Sequence, residues 1–345
     1  MITEKPPLAN ELAAQFRVDA ETIAQSLLDW CGLTHSKSVQ ELDQAILRWL
    51  DFRLRFVDPK PRPLVYSNLL SKPLSDEVRQ ALADFEQISL AGGDLNPFQG
   101  KGLTMHHDTS GAKRQNRTDH LWAEWNIHHF HLAKPSQTPG QYYSERSRRP
   151  GRPCWLLFAV IFDNAIACID ITDHGKGAME NRSLIEAFIR DWPDAAEHFR
   201  LKGILPPTSQ LPAEDIKKSR VAGFSSFVMV DDKVYVPGGI TRASTSERVT
   251  LALNQISRET NAIAQLAIGE VVRDRGEFGS ADLSHLSLAL TPRGLGIFDD
   301  RGNKCWPLPR AKGDWANHPA ARWHDLMIPE WLEAKIAEAW THSNA

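Results

Sequence analysis

Residues 155–172 read WLLFAVIFDNAIACIDIT. Trp155–Phe162 is an unbroken apolar run of strand length, the pattern of a strand buried on both faces. Asp163-Asn164 is a hairpin turn signal, and Ala165–Thr172 predicts the returning strand. Just upstream, Ile127-His-His-Phe-His-Leu132 alternates as a strand does, and downstream Leu184–Trp192 predicts a helix stopped by Pro193. Strands joined by tight turns and followed by a helix place the chain in the α+β class, with a central, mostly antiparallel sheet.

The N-terminal side of this block reads as helical. Ala20–Trp30 carries an apolar face, with Asp19 as expected N-cap and Gly32 as stop. Val39–Phe56 predicts a second amphipathic helix that ends at Asp58-Pro59, and Ser75-Asp-Glu opens a third over 75–89. Glu11–Trp30 also has the apolar spacing of a helix-turn-helix, but Arg17 stands where the turn would take glycine, so an ordinary helical pair is expected. On the C-terminal side, 205–220 reads as a linker and 224–236 as a hairpin around Asp231-Asp232. Ser244–Ala267 reads as a helix with a Ser244/Glu247 capping box, and 286–308 as short strands before a terminal helix over 328–340. The expected division is a helical section 1–93, a central α+β domain 94–205 and a C-terminal α+β section 206–345.

Composition narrows the function classes. Over 345 residues, 42% are hydrophobic and 24% charged, which excludes a disordered chain. No run of about 18 apolar residues offers a membrane span. The opening MITEKPPLANELAAQF lacks the apolar core of a secretory signal, and the four cysteines are scattered, so a reducing cytoplasm is expected. With a net charge of −3, nucleic-acid binding would need a local basic patch. One exists: residues 101–152 hold nine Lys/Arg against four Asp/Glu, and six of the thirteen histidines.

The chemistry-bearing residues cluster there. Along a strand, His129 and His131 share one face with Ile127, while His128 shares the other with Phe130 and Leu132. Imidazoles two apart can act as acid and base near neutral pH, or grip one metal ion. Asp170 and His174 lie at the end of the returning strand, where pairing is expected to bring them into reach of the histidines. Arg146, Arg148, Arg149 and Arg152 suit phosphates, Tyr142 and Tyr143 can stack on unpaired bases, and Gly175-Lys176-Gly177 adds a basic tip. Gly238-Gly239, ahead of hydroxyl residues at a helix start, is a candidate anion contact whose plain alternative is a helix cap.

Asp94-Leu-Asn-Pro97, Asp119-x-Leu-x-x-x-Trp125-x-Ile-His-His-x-His-Leu132, Leu156-Leu-Phe-Ala159 and Asp191-Trp-Pro193 resemble an uncharacterised family of bacterial proteins over roughly 45–205. The order from Ile127 through Arg152, then 155–162 and 166–174, also resembles the RelE/ParE toxin superfamily, although this chain is far longer than those toxins. That resemblance implies metal-independent RNA cleavage, with His174 and Lys176 at the tip and Arg148, Arg149 or Arg152 before the central strand.

Together these readings lead to a toxin- or defence-like enzyme that cleaves RNA without a cofactor. His129 or His131 is the base, His174 the acid, Asp170 and Arg149 support them, and Arg146, Arg148, Arg152, Lys176 and Tyr143 hold substrate. One alternative is a metal-dependent hydrolase binding a divalent ion through His129, His131 and His174. Another is a non-catalytic nucleic-acid-binding or scaffold protein. No membrane partner is expected.

Overall fold

The computed structural model describes residues 7–35, 44–106, 119–132, 155–173, 177–204, 212, 215–216, 218–219, 226–239, 246–275, 283–291 and 294–343. The helices used below are α1 (Pro7–Trp30), α2 (Ala45–Arg55), α3 (Asp76–Leu90), α4 (His120–Trp125), α5 (Arg182–Asp191), α6 (Glu247–Arg275), α7 (Pro319–Met327) and α8 (Glu330–Ser343). The strands are β1 (Leu64–Tyr66), β2 (Ile127–Leu132), β3 (Trp155–Ile161), β4 (Ile166–Asp173), β5 (Arg200–Leu201), β6 (Val228–Val230), β7 (Lys233–Tyr235), β8 (Leu286–Thr291), β9 (Gly294–Asp299) and β10 (Lys304–Pro307). The class is α+β with a helical N-terminus. No helix among the described residues is long and apolar enough to cross a membrane.

The chain forms two compact units, one of Met1–Leu33, Lys37–Arg53 and Val249–Ala345, the other of Thr34–Ser36 and Leu54–Arg248. The boundaries therefore fall at 53/54 and 248/249, where composition suggested 93/94 and 205/206. Composition shifts mark where element type changes, whereas a compact unit is defined by which segments pack together, and here the two ends of the chain belong to one unit.

The second unit is built on a four-stranded sheet in the order β1–β4–β3–β2. β3 is antiparallel to both neighbours and β1 is parallel to β4. The both-faces burial expected of 155–162 is realised. Leu156, Phe158 and Val160 point to one face, packed with Leu184, Ile185 and Phe188 of α5 and with Val228, Val230 and Tyr235 of the β6–β7 hairpin. Leu157 and Ala159 point to the other, packed with Val78, Leu82 and Phe85 of α3 and with Leu95 and Phe98. Each large side chain so buried contributes about 1.5–3 kcal/mol. A bulge after Phe158 shifts the β3–β4 register, pairing Phe158 with Asp170 and Ala159 with Cys168. The extra residue, Ile169, flips the alternation, so that Asp170 lies on the face of Phe158 and Ile171 joins the opposite core.

α3 begins as its sequence predicts, with Ser75 Oγ accepting from Val78 N–H and Asp76 and Glu77 in the first turn. The Asn96–Phe98 turn is held by one buried amide. Asn96 Oδ1 accepts from Val57 N–H at 2.8 Å and from Gln99 Nε2 at 2.9 Å, and Asn96 Nδ2 donates to Val57 C=O at 2.9 Å. Gln99 Nε2 also donates to Arg55 C=O at 3.0 Å, so the chain just after α2 is tied to this turn at several points.

In the first unit, α1 runs unbroken through Arg17 and Asp19, which excludes both a helix-turn-helix turn and an N-cap at Asp19. Asp19 instead accepts the backbone N–H of Leu288 on the edge strand β8 at 2.9 Å. The sheet β8–β9–β10 is antiparallel throughout. His324 of α7 is buried, with Nδ1 donating to Leu308 C=O at 2.9 Å and Nε2 accepting from Leu295 N–H at 3.2 Å. That pattern is a neutral imidazole. Burial, seconded by Arg310, holds its pKa below the ordinary histidine range against the opposing pull of the Leu308 carbonyl and Glu333.

Two outcomes follow for urea unfolding followed by tryptophan fluorescence. Asn96→Ala strands the buried Val57 amide and carbonyl, and the unfolding free energy of the second unit falls by about 3 kcal/mol. His324 takes up a proton less readily in the folded than in the unfolded chain, so its stabilisation is present above about pH 6.5 and lost as pH falls. Wild type therefore loses more stability than His324→Gln as pH is lowered from about 7 to about 5. Parallel curves for the two proteins would show that His324 titrates alike in both states.

Candidate functional site

The site is built where α4 turns into the edge strand β2. Asp119 is the N-cap of α4, its Oδ1 accepting from Trp122 N–H at 3.2 Å. After six helical residues the helix ends at Asn126, in the left-handed conformation at φ 60°, and its N–H closes back onto the carbonyls of Leu121 and Trp122. Arg248 Nη1 donates to the Asn126 side chain, fixing the corner. This short helix and sharp corner bring the start of the segment back to the strand that follows it.

The consequence is a carboxylate–imidazole pair. Asp119 Oδ2 lies 2.7 Å from His129 Nδ1, with the His129 side chain 15% and the Asp119 side chain 9% exposed. Burial alone would push the Asp119 carboxyl up. The charge and close contact of His129, the charge of Arg55 and the Trp122 N–H outweigh it and hold the group well below the usual carboxylate range. The contact is close but not aligned as a hydrogen bond; an ionised carboxylate beside Nδ1 favours the tautomer protonated there, which leaves Nε2 as the basic nitrogen of the neutral ring. His131 stands beside it, ring centroids 5.5 Å apart and tilted 69°, and its Nδ1 donates to Phe98 C=O at 3.2 Å. His128 points to the other face, stacked on Phe130. Burial, with Arg55, Arg248 and His129 nearby, pushes it down to about 3 against the pull of Asp119, so it stays neutral and is no acid–base group.

Arg55, at the C-terminal end of α2, completes the cluster. It is buried, its guanidinium lies 5.6 Å from the Trp122 ring centroid, and Nη1 donates to Gly102 C=O at 2.9 Å. Gly100, in the same turn, lies against the two imidazoles: a Cβ built there would sit 3.5 Å from His131 Cε1 and 3.9 Å from His129 Nε2.

The structure thus brings His129 and His131 together, as their strand positions predict. It does not bring Asp170 to them. β4 pairs with β3 and not with β2, so the row His129–Phe158–Asp170 puts a phenylalanine and two strand spacings, roughly 9–10 Å, between the groups. Asp170 is instead a buried structural anion, 2.6 Å from Lys72 Nζ and accepting its neighbour Ile171 N–H. His174, Lys176, Tyr143, Arg146, Arg148, Arg149 and Arg152 lie outside the described residues. The Gly238-Gly239 anion candidate is overturned. Gly238 N–H donates to Glu124 C=O, Gly239 N–H donates to the Glu247 carboxylate, and a Cβ at 238 would meet Ala123 C=O at 3.1 Å. These glycines let a loop lie on α4, with Glu247 filling the place an anion would take. α6 begins at Glu247, and Ser244 lies outside the described residues.

Among the described residues, no three His, Cys, Asp or Glu side chains converge as a metal-binding group. His131 Nδ1 is hydrogen-bonded to Phe98 C=O and His129 Nδ1 lies close to the Asp119 carboxylate, so both face an oxygen as the outer nitrogens of metal-binding histidines do. Asp119 and Arg55 were not singled out as site residues from the sequence. The signal for Asp119 was its place before a six-residue helix that a strand follows directly. Arg55 is brought in from a distant helix, and no local pattern marks it.

Compared with known proteins, the chain matches no protein-family model, no curated protein and no solved structure.

Proposed function

We propose that this chain is a phosphodiester-cleaving enzyme acting on RNA, with His129 as general base and Asp119 as the residue that orients it. The observation that carries this reading is the 2.7 Å contact between Asp119 Oδ2 and His129 Nδ1, which directs the basic Nε2 away from its partner. In the reaction, His129 Nε2 takes the proton of a ribose 2′-hydroxyl as that oxygen bonds to the adjacent phosphorus. The 5′-oxygen leaves with a proton from the general acid, assigned from sequence to His174. The products are a 2′,3′-cyclic phosphate and a 5′-hydroxyl. Asp119 stabilises the imidazolium that forms, as a buried anion does for an adjacent cation. Basic residues flank the α4–β2 block in the chain on both sides, Lys113, Arg114 and Arg117 before it and Arg146, Arg148, Arg149 and Arg152 after it. Arg149 offsets charge on the phosphorane, and Arg146, Arg148, Arg152, Lys176 and Tyr143 hold phosphates and bases.

One observation favours a second reading. With both Nδ1 atoms facing oxygens, His129 and His131 present the nitrogens that metal-binding histidines use, and His174 would add a third to hold a divalent ion.

The test is cleavage of end-labelled RNA and of single- and double-stranded DNA by purified full-length protein, with and without EDTA. RNA cleavage that survives EDTA, falls about 10²–10⁴-fold in His129→Ala and falls in Asp119→Asn is the expected result. Activity abolished by EDTA and restored by a divalent ion would move the site to the metal reading. RNA bound but uncut under every condition would make the pair a structural clamp and the chain a binding protein.

A further inference from the structure

Glycine at position 100 has no explanation in the backbone or in steric exclusion. Its φ is not left-handed, unlike those of Gly32, Gly92, Gly177, Gly203, Gly294 and Gly313. Nor would a methyl group clash, since its nearest neighbours would be at ordinary van der Waals distances of 3.5 and 3.9 Å. At Gly92 a Cβ is shut out, 2.9 Å from Pro61, and at Gly238 it would be tight, 3.1 Å from Ala123 C=O; Gly102 and Gly269 share the freedom of Gly100, but only at 100 would the added group lie against the two imidazoles. What a side chain at 100 would do is occupy the space beside His129 Nε2.

That space is built. The turn bearing Gly100 is pinned on both sides, with Gln99 Nε2 donating to Arg55 C=O at 3.0 Å and Arg55 Nη1 donating to Gly102 C=O at 2.9 Å. Phe98 C=O accepts from His131 Nδ1 at 3.2 Å, and Leu103 N–H closes the turn onto Gly100 C=O at 3.1 Å. A turn held at four points cannot swing aside to make room for a larger residue. Gly100 is also half-buried beside a half-buried His129, so the gap is neither open surface nor sealed interior.

We infer that Gly100 is the clearance residue of the site: its missing side chain leaves the room through which a substrate hydroxyl reaches His129 Nε2. The assignment of that hydroxyl to a ribose rests on the RNA-cleaving reading, but the assignment of the clearance does not. The residue thereby limits the size of the group that can meet the base, and it touches substrate without taking part in proton transfer.

Diethyl pyrocarbonate, which acylates accessible neutral imidazole nitrogen, measures the clearance without reference to any activity. Wild type, Gly100→Ala and Gly100→Val are treated as full-length proteins, and acylation of His129 is followed by peptide fragmentation. The expected result is a rate at His129 about threefold lower in Gly100→Ala and at least tenfold lower in Gly100→Val, with thermal unfolding of Gly100→Ala close to wild type. Equal His129 rates in wild type and Gly100→Ala overturn the proposal, even if Gly100→Val fails to fold. The same proteins are then given RNA. Wild type that cleaves RNA, with Gly100→Val equally active, overturns the clearance role and leaves the RNA reading standing. Wild type that leaves RNA intact, with His129 shielded in the variants, overturns the RNA reading and sustains the clearance role.

Discussion

A single carboxylate organises the chemistry of the second unit. Moving an isolated carboxylate into a protein interior costs several kcal/mol, and the cost is recovered only when the charge is matched and its lone pairs are used. Asp119 meets both conditions through the α4 N-terminus, His129 and the positive field of Arg55. The arrangement constrains its neighbours in turn. α4 must start at Asp119, Asn126 must reverse the chain at once, and β2 must begin at Ile127 for His129 to return within contact. His128, one residue earlier, falls on the opposite face and is held neutral by burial. The adjacent His128 and His129 therefore have different environments, because side-chain alternation along one strand separates them, while His131 returns to the face of His129.

The strand beside the site has no freedom to move. β3 is covered on both faces, so a one-residue slip would exchange its two faces and force both cores to repack. Among the described residues β2 is the outer strand of that sheet. Of its histidines, His128 and His131 are buried and His129 is half-buried. The Asn96–Phe98 turn and the Gly100–Leu103 turn stand beside this strand, and the Asn96 and Arg55 bonds stiffen them. A base held this way has little rotational freedom to lose on reaching a transition state, the condition under which a positioned imidazole is most effective.

Much of the fold was legible in the sequence because its local signals agree with its packing. The apolar run at 155–162, the Asp163-Asn164 turn, the Ser75 cap and the alternation of 127–132 each have one physical reading, and the structure realises each of them. The placement of Asp170 was not legible. A bulge at Ile169 changes which face the residue occupies, and the pairing order β4–β3–β2 is a property of the sheet, not of any strand's own sequence. Asp19 illustrates the same limit: a polar residue before an apolar periodicity looks like a cap, but the helix continues because Asp19 finds a long-range partner in Leu288 N–H. Within the site, the pair of histidines on one face was readable from period two alone, while Arg55 comes from a helix more than sixty residues earlier, and only tertiary packing brings it near.

The contrast among the glycines ties these levels together. Gly92 is needed because α3 ends in a left-handed residue pressed on Pro61, and Gly238 because a loop lies directly on the α4 backbone. Both are demands of folding, and a side chain at either would displace main chain. Gly100 answers no such demand, yet it sits in a turn tied to Arg55 and His131, beside His129 Nε2. Stability alone would favour a side chain there, since glycine loses more conformational freedom on folding than any other residue. On the proposed reading, glycine at this position beside the Asp119–His129 pair leaves a second reactant room to enter.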